Sequence, residues 1–236
     1  MNAGEGVHIC KAKVKKGARV SSNPSQTSAV STDNGEVWLS GHDLFCERDD
    51  RVLFSGLNFE LSPTNLVRIV GPNGAGKSTL MRILVGMSAG YEGDVRWKGE
   101  DLHRARYDFH SNLLYLGHQV GVKGNLTPEE NLNWLVPEAS RDEIFDALEK
   151  VKLRGYEDVL TQGLSAGQQR RVALARLFIE KKPVWILDEP FTAIDKYGVA
   201  ELEQILVDKA ASGGLVIVTT HHELAVDHKT IELGGQ

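Results

Sequence analysis

Apolar positions along the chain follow two periods, one typical of buried strands and one typical of amphipathic helices. Short and mainly apolar runs occupy Leu66–Val70, Val184–Leu187 and Leu215–Thr219, and they predict buried strands. The segments Gln168–Glu180 and Gly198–Ala211 carry apolar residues at helical spacing. Strands of this kind that alternate with helices predict an α/β fold with a mainly parallel sheet covered on both faces.

Other strands are predicted in the N-terminal half of the chain. Val37–Phe45 and Val52–Leu61 predict two strands joined by a charged turn at Glu47–Arg51. Gly93–Lys98 alternates between polar and apolar residues and predicts an edge strand, and Asn112–Leu116 predicts a further strand. The predicted fold class is therefore α/β with an additional antiparallel β subdomain.

A small helical subdomain is predicted at about residues 120–165. Thr127-Pro128-Glu129-Glu130 supplies a capping threonine, a proline at the first helical position and a glutamate at the third. Ser140-Arg141-Asp142-Glu143 repeats the capping box before a second apolar helix. Two helices with such clear start signals inside an α/β chain indicate a separate subdomain.

The first 35 residues differ from the rest of the chain. They are rich in lysine, serine and glycine and have neither strand nor helix period, so residues 1–35 are predicted to be a disordered extension before a domain over residues 36–236. The two cysteines, Cys10 and Cys46, have no CxxC spacing and predict neither a disulfide framework nor a zinc site.

Net charge and hydropathy exclude two classes of function. The net charge of −5 argues against a nucleic-acid binder that relies on bulk positive charge. No run approaches the ~20 consecutive apolar residues of a membrane span. Any work at a membrane would therefore require docking onto another protein that spans it.

A glycine-rich loop follows the strand predicted at Leu66–Val70 and precedes a helix. It satisfies G-x-x-x-x-G-K-[ST] in the strand–loop–helix context that this motif requires. Glycine lets successive backbone N–H groups curl around phosphate oxygens, and the helix N-terminus adds a favourable dipole. Lys77 can reach the β- and γ-phosphates, and Ser78 can ligate Mg²⁺. The ATP-binding residues predicted here are Gly71, Pro72, Asn73, Gly74, Ala75, Gly76, Lys77, Ser78 and Thr79.

Two carboxylates follow the strand predicted at Val184–Leu187. They fall at the carboxyl edge of the parallel sheet, where ligands bind in such folds. Asp188 is the candidate for holding Mg²⁺ through water, and Glu189 is the candidate for orienting or deprotonating the attacking water. An acidic pair after a strand is often only a solvated cap. Together with the glycine-rich loop, however, it predicts ATP hydrolysis.

A third motif, Leu164–Arg171, resembles the signature of ABC ATPases, with Ala166 in place of the usual first glycine. A helix that starts here would offer the Ser165 hydroxyl and nearby amides to a phosphate. The resemblance implies that this phosphate belongs to ATP held by a second copy of the chain. A capped surface helix would explain Ser165 but not the whole run. The contact residues implied are Ser165, Ala166, Gly167 and Gln168.

Further positions follow the order of motifs in that family. The resemblance implies that Gln119 contacts Mg²⁺, that Thr192–Asp195 crosses a dimer interface and that His221 contacts the γ-phosphate, while His222 is given no role. Each is a weak signal singly, but six elements in order are not. Arg48 stands where these ATPases usually stack adenine on an aromatic ring; a guanidinium can stack on adenine, or Arg48 lies on a solvated turn.

Over residues 36–233 the chain resembles one branch of ABC ATPases, the ATP-binding subunit of the bacterial cytochrome c maturation system. The stretches that carry the resemblance are Cys46–Arg51, Leu116–Lys123, Leu164–Leu177 and Trp185–Asp195. It implies a P-loop NTPase core, ATP and Mg²⁺ as ligands, a homodimer of ATPase subunits and integral membrane partners at the cytoplasmic face of the bacterial inner membrane. In that branch, ATP hydrolysis serves to release a haem-loaded periplasmic chaperone.

Two other functions remain open at this point. One is the ATPase subunit of another ABC importer or exporter. The other is a soluble ABC ATPase of DNA repair or translation, which the short interval between Gln119 and Leu164 and the single ATPase unit disfavour. No direct haem binding is expected, because the chain has no CxxCH motif and its histidines and cysteines are scattered.

Overall fold

The computed structural model describes residues 36–119 and 121–234, together with the strand Val14–Lys16. The strands are β1 Val14–Lys16, β2 Leu39–Arg48, β3 Arg51–Leu61, β4 Leu66–Val70, β5 Glu92–Trp97, β6 Glu100–Asp101, β7 Leu113–Leu116, β8 Val184–Asp188, β9 Leu215–Thr219 and β10 Lys229–Glu232. The helices are α1 Lys77–Leu84, α2 Arg106–Ser111, α3 Pro128–Leu135, α4 Arg141–Lys150, α5 Ala166–Ile179 and α6 Lys196–Ala211, with a 3₁₀ turn at Thr161–Gly163.

The main sheet has the strand order β1-β10-β4-β9-β8-β7. Every neighbouring pair from β10 to β7 is parallel, and β1 runs antiparallel to β10. Along β9, Leu215 and Ile217 enter the core on one face of the sheet, whereas Val216 and Val218 enter the core on the other. The predicted parallel sheet with both faces covered is therefore confirmed.

A second, antiparallel sheet has the order β3-β2-β5-β6. The β2–β3 hairpin turns at Asp49 and Asp50, whose φ angles of 51° and 57° suit a two-residue type I′ turn. The prediction that β5 is an edge strand is wrong. The chain reverses at Lys98 and Gly99, and the two residues of β6 then pair with the outer side of β5.

The two sheets share one hydrophobic core through α1. Phe54 and Trp97 of the antiparallel sheet, Val67 and Ile186 of the main sheet, and Leu80 of α1 belong to the same buried cluster. This packing fixes the glycine-rich loop before α1 relative to both sheets. A second cluster, on the opposite face of the main sheet, packs against α5 and α6.

The predicted helical subdomain contains α3 and α4, and both begin with the predicted capping boxes. Thr127 N donates to Glu130 Oε2 at 2.8 Å, and Ser140 N donates to Glu143 Oε2 at 2.9 Å. A third hydrophobic cluster joins these helices to α5, which contributes Val172 to it. Because α5 also packs on the main sheet, it connects the helical subdomain to the core.

Three residues of the predicted disordered extension form β1, which pairs with β10 and covers an edge whose N–H and C=O groups would otherwise be unpaired. The remainder of residues 1–35, including Cys10, lies outside the described residues. In the described part of the chain, no helix combines the length and the hydropathy that crossing a bilayer requires.

Candidate functional site

The glycine-rich loop connects β4 to α1 and depends on glycine at its two ends. Gly71 has φ 153°, and a Cβ there would lie 2.5 Å from the carbonyl oxygen of Leu233. Gly76 has φ 92°, and a Cβ would lie 3.0 Å from the Cβ of Leu53. The loop is therefore packed closely against its neighbours, and its open side can receive a ligand through main-chain groups.

Helix α1 begins at Gly76 without a side-chain cap from any described residue, and its first turn contains no acidic residue. The first N–H groups of a helix lack intrahelical acceptors, and the positive end of the dipole favours an anion there. Lys77 reaches back over the loop and donates to the carbonyl oxygens of Gly71 at 2.7 Å and Pro72 at 3.1 Å. The loop thus presents amides and an ammonium group to one region.

The loop forms one wall of an open cleft of about 530 Å³. Side chains of both charges line the cleft, with two arginines and an aspartate at the β2–β3 hairpin and with one glutamate and two histidines at the ends of the main-sheet strands. The lining residues are Arg48, Asp49, Arg51, Leu53, Asn73, Gly74, Gly76, Lys77, Ser78, Thr79, His118, Glu189 and His221. The structure therefore brings the hairpin, the loop and the strand ends together at one site.

The two carboxylates at the end of β8, Asp188 within the strand and Glu189 directly after it, have different surroundings. Asp188 is 2% exposed, and its Oδ1 accepts a 2.6 Å hydrogen bond from the Thr219 hydroxyl. Glu189 lines the cleft and has φ 51°, a left-handed conformation that costs a non-glycine residue about 1–2 kcal/mol. Glu189 N donates to Thr219 Oγ1 at 2.9 Å and to Thr219 O at 3.1 Å. Thr219 on β9 therefore positions both acidic residues.

Two histidines follow β9 and have different contacts. His221 lines the cleft, with its Nε2 3.6 Å from Glu189 Oε1. The ring of His222 lies 5.3 Å from that of Phe191, and its Nε2 is 3.8 Å from Glu203 Oε2 on α6. His221 is thus the histidine that faces the Glu189 carboxylate, whereas His222 packs against Phe191 and lies near α6.

Arg48 and Gln119 occupy the margins of the site. Arg48 ends β2, is mostly exposed, and lies with its Nε 3.9 Å from Asp49 Oδ2 at the cleft wall. Gln119 is exposed in the segment after β7, next to His118, which lines the cleft. Arg51, Asp49 and His118 were absent from the sequence prediction, because only the hairpin turn and the strand order bring them to the loop.

Residues 165–168 of the signature lie at the start of α5 and are exposed or partly exposed. Ser165 Oγ accepts from Gln168 N at 3.3 Å, and Gln168 Oε1 accepts from Ser165 N at 2.9 Å, which completes a third capping box. A Cβ on Gly167 would lie 2.7 Å from the Ala193 carbonyl oxygen, so glycine allows this helix to approach the segment after β8. Ser165, Ala166, Gly167 and Gln168 are separate from the described residues that line the cleft of their own chain.

Comparisons with known proteins agree with this arrangement. A family model described as ABC transporter matches residues 54–192. The chain is 50% identical over 198 residues to the cytochrome c biogenesis ATP-binding export protein CcmA of Shewanella frigidimarina, across 83% of this chain and 91% of that protein. It is 51% identical to the protein of the same name from Pseudomonas fluorescens, across 81% and 94% of the two chains. The Escherichia coli K12 protein is 49% identical, across 82% and 93%.

Solved structures share the fold. An ABC transporter ATP-binding protein from Pyrococcus furiosus superposes with a TM-score of 0.72 at 24% identity and covers 83% of this chain and 96% of its own. A structure of an ATP-binding subunit of an ABC transporter gives 0.67 at 22% identity, across 78% and 79% of the two chains. This likeness to ABC transporter ATP-binding proteins agrees with three features of the chain: the glycine-rich loop, the strand-end carboxylates and the capped signature helix. The chain therefore belongs to the ABC transporter family, in the branch of the cytochrome c biogenesis ATP-binding export proteins.

Proposed function

We propose that this chain is the ATP-hydrolysing subunit of a membrane ABC complex for cytochrome c biogenesis. In this role it would couple hydrolysis to haem delivery or to release of a haem-loaded chaperone. The observation that carries the proposal is the meeting of the glycine-rich loop with Glu189 and His221 in one cleft, in a chain about half identical to such export proteins over most of its length.

ATP binding is assigned to the loop and the hairpin. The amides at the uncapped start of α1 and the Lys77 ammonium would hold the phosphates, which a helix N-terminus favours. Arg48 and Arg51 line the same cleft at the hairpin, where a planar guanidinium can stack on the base or neutralise charge. The cleft is large and open, as a nucleotide with its charged phosphates in contact with water requires.

Hydrolysis is assigned to Glu189, with His221 beside it. Glu189 is fixed at the cleft by the contacts of its backbone with Thr219, so its carboxylate can accept a hydrogen bond from the attacking water and receive its proton. His221 Nε2 lies 3.6 Å from that carboxylate and would contact the terminal phosphate. A base held in place before the substrate arrives needs little rearrangement during the reaction.

Mg²⁺ suits the donors available at this site. Ser78 and Asp188 provide hard oxygen ligands, and Gln119 provides an amide oxygen in the segment after β7. These three residues would hold the ion together with phosphate oxygens and water. When bound, the ion would neutralise the negative charge that develops on the phosphate oxygens during phosphoryl transfer.

The signature residues support a homodimer. Ser165 to Gln168 are accessible at the start of α5 and separate from the lining of their own cleft. Two copies arranged head to tail would therefore place this helix start against the phosphates in the partner's cleft. Thr192–Asp195, which touches the same helix through Ala193, would follow the dimer interface.

The complex would include integral membrane subunits, with this chain bound peripherally at the cytoplasmic face of the bacterial inner membrane. The helical subdomain would transmit the movement of the dimer to those subunits, because α5 connects it to the catalytic edge. Neither nucleic acid nor haem is assigned as a ligand of this chain.

The test is a gene deletion with complementation, read out as covalent haem in periplasmic c-type cytochromes. We expect the deletion strain to lose holocytochrome c, the wild-type gene to restore it and Lys77→Ala to fail. Lys181→Ala, which changes an exposed lysine after α5, is the matched control and should restore it fully. Normal holocytochrome c in the deletion strain would overturn the proposed role in cytochrome c biogenesis, but it would not contradict the proposal that the chain hydrolyses ATP.

A further inference from the structure

Arg170 is a buried arginine in the signature motif that the functions assigned above do not use. It lies in the second turn of α5 and is 5% exposed. Its neighbour Arg171 is more exposed and pairs with Asp195 at the start of α6. Two adjacent arginines in one motif therefore have different partners, and the buried one faces the catalytic edge of the sheet.

The Arg170 guanidinium donates to the main chain at the ends of two parallel strands. One terminal nitrogen donates to the carbonyl oxygens of Asp188 at 2.8 Å and Glu189 at 2.7 Å. The other donates to those of Gly117 at 3.3 Å and His118 at 3.4 Å. Glu189 and His118 both line the cleft, so one side chain ties together the two segments that supply them.

These bonds complete the restraint on Glu189. Thr219 holds its N–H, and Arg170 holds its carbonyl oxygen. The left-handed backbone conformation of Glu189, with φ 51°, is thus fixed through the peptide groups on both sides of its Cα. A strained conformation persists only where the surrounding structure determines it, and such positions are frequent in active sites.

We propose that Arg170 is a positioning residue for ATP hydrolysis, which fixes Glu189 at the cleft and joins the signature helix to the catalytic edge. The inference rests on the proposed function of Glu189 as the base. Because Arg170 lies on α5, this helix would connect a phosphate bound at Ser165 to Glu189 of the same chain. One copy's signature would then influence its own catalytic site.

The geometry requires a fork of donors rather than a charge alone. Four carbonyl oxygens on two segments are shared between two nitrogens that a guanidinium holds in one plane, whereas a lysine ammonium is a single point. Burial lowers the pKa of Arg170, and the carboxylates of Asp188 and Glu189 oppose that shift. Removal of the guanidinium leaves the buried carbonyl of Asp188 and three partly buried carbonyls without this donor, which a smaller side chain cannot replace.

The experiment measures ATP affinity and single-turnover hydrolysis of radiolabelled ATP in the full chain co-purified with its membrane subunits. For Arg170→Met we expect hydrolysis to fall roughly tenfold to a hundredfold, as misplacement of a catalytic group does, while ATP affinity changes less than about threefold. Arg170→Lys should recover little of the rate. It keeps the charge, so it also serves if the methionine variant fails to fold.

Arg176→Gln is the matched control, because Arg176 lies on the same helix and is largely buried, but it pairs with Glu180 and donates to Tyr115 O within β7 rather than to Glu189 or His118. It should lower thermal stability and leave the rate per folded molecule within about twofold. In a Glu189→Gln background, Arg170→Met should cause no further loss, because the group it positions is already absent.

The outcomes separate the inference from the function on which it rests. Wild-type turnover by Glu189→Gln would overturn the assignment of the base and the inference with it. If Glu189→Gln is inactive, three results would overturn the inference alone. They are an unchanged rate for Arg170→Met, a full rate for Arg170→Lys, and equal losses from Arg170→Met in both backgrounds.

Discussion

The starts of α1 and α5 are both assigned to phosphate, yet the chain builds them differently. Helix α1 starts at a glycine in a left-handed conformation and has no side-chain cap among the described residues. Helix α5 starts at Ser165 with a complete capping box, the same device that starts α3 and α4. The first helix leaves its amides for a ligand, whereas the second satisfies two of its donors, Ser165 N and Gln168 N, before any ligand arrives.

The difference fits the two proposed roles. A site that holds nucleotide within its own chain gains from free amides and from a backbone with no Cβ in the cradle. A helix start that meets its phosphate only when a second copy approaches must remain folded and satisfied while it is exposed. Ser165 accepts one hydrogen bond in its cap and retains its hydroxyl proton for donation to the phosphate.

The largest expected effect comes from adding a side chain at Gly76, the N-cap residue of α1. Gly76→Ala should weaken ATP binding at least about thirtyfold, or ~2 kcal/mol, because alanine is strained at φ 92° and its Cβ meets Leu53. Titration calorimetry would measure this. Gly99→Ala is the control, since Gly99 has φ 83° but no described atom within 4 Å of the added Cβ. It should cost stability without weakening ATP binding, and equal weakening in both variants would contradict the role of the cradle.

An intermediate effect is expected at the start of α5. Ser165→Ala should lower the hydrolysis rate about tenfold by removing a donor to the partner's phosphate, and should cost about 1 kcal/mol of stability through loss of the cap. ATP affinity of the separated subunit should be unchanged. Ser140→Ala removes the equivalent cap of α4 and should reproduce the stability loss alone. If both serine variants hydrolyse ATP at the same rate, Ser165 acts only as a cap.

The smallest effect concerns pH. Hydrogen bonds from the Ser140 backbone and hydroxyl lower the pKa of Glu143 in the α4 capping box, whereas α5 uses Gln168, which does not titrate. The stabilisation from Glu143 is therefore present above its unfolded pKa of about 4.3 and is lost as pH falls through the lower folded pKa. Glu143→Gln should flatten thermal stability against pH in this acid range. Glu138→Gln, a change at a nearby exposed carboxylate, should leave the slope intact.

Local signals in the sequence predicted several elements correctly. The capping boxes at Thr127 and Ser140 act within one helical turn, so three or four letters contain all the necessary information. The parallel strands β4, β7, β8 and β9 were identified from mainly apolar runs, since burial on both faces imposes that composition. The elements that were missed are short or mostly polar: β6 has two residues, and Ile231 is the one buried residue of β10.

Contacts between distant segments could not be predicted from the sequence. Thr219 meets Asp188 because β8 and β9 pair in parallel with these residues in register. Arg170 reaches the ends of β7 and β8 because α5 packs across that edge of the sheet. Nothing in the signature motif distinguishes Arg170 from Arg171, although one is buried at the catalytic edge and the other lies nearer the surface.

Short stretches of the amino-acid sequence are enough to predict the chemical groups of the candidate site: a glycine-rich loop with Lys77, a carboxylate pair at a strand end, and a capped signature helix. These features depend on residues that are close together in the chain, where backbone sterics and local hydrogen bonds decide the outcome. The tertiary structure alone decided that Glu189 is held between Thr219 and Arg170, and that the signature lies apart from its own cleft. The physical reason is that strand register and helix packing are set by burial of the whole core, which no short stretch of sequence contains.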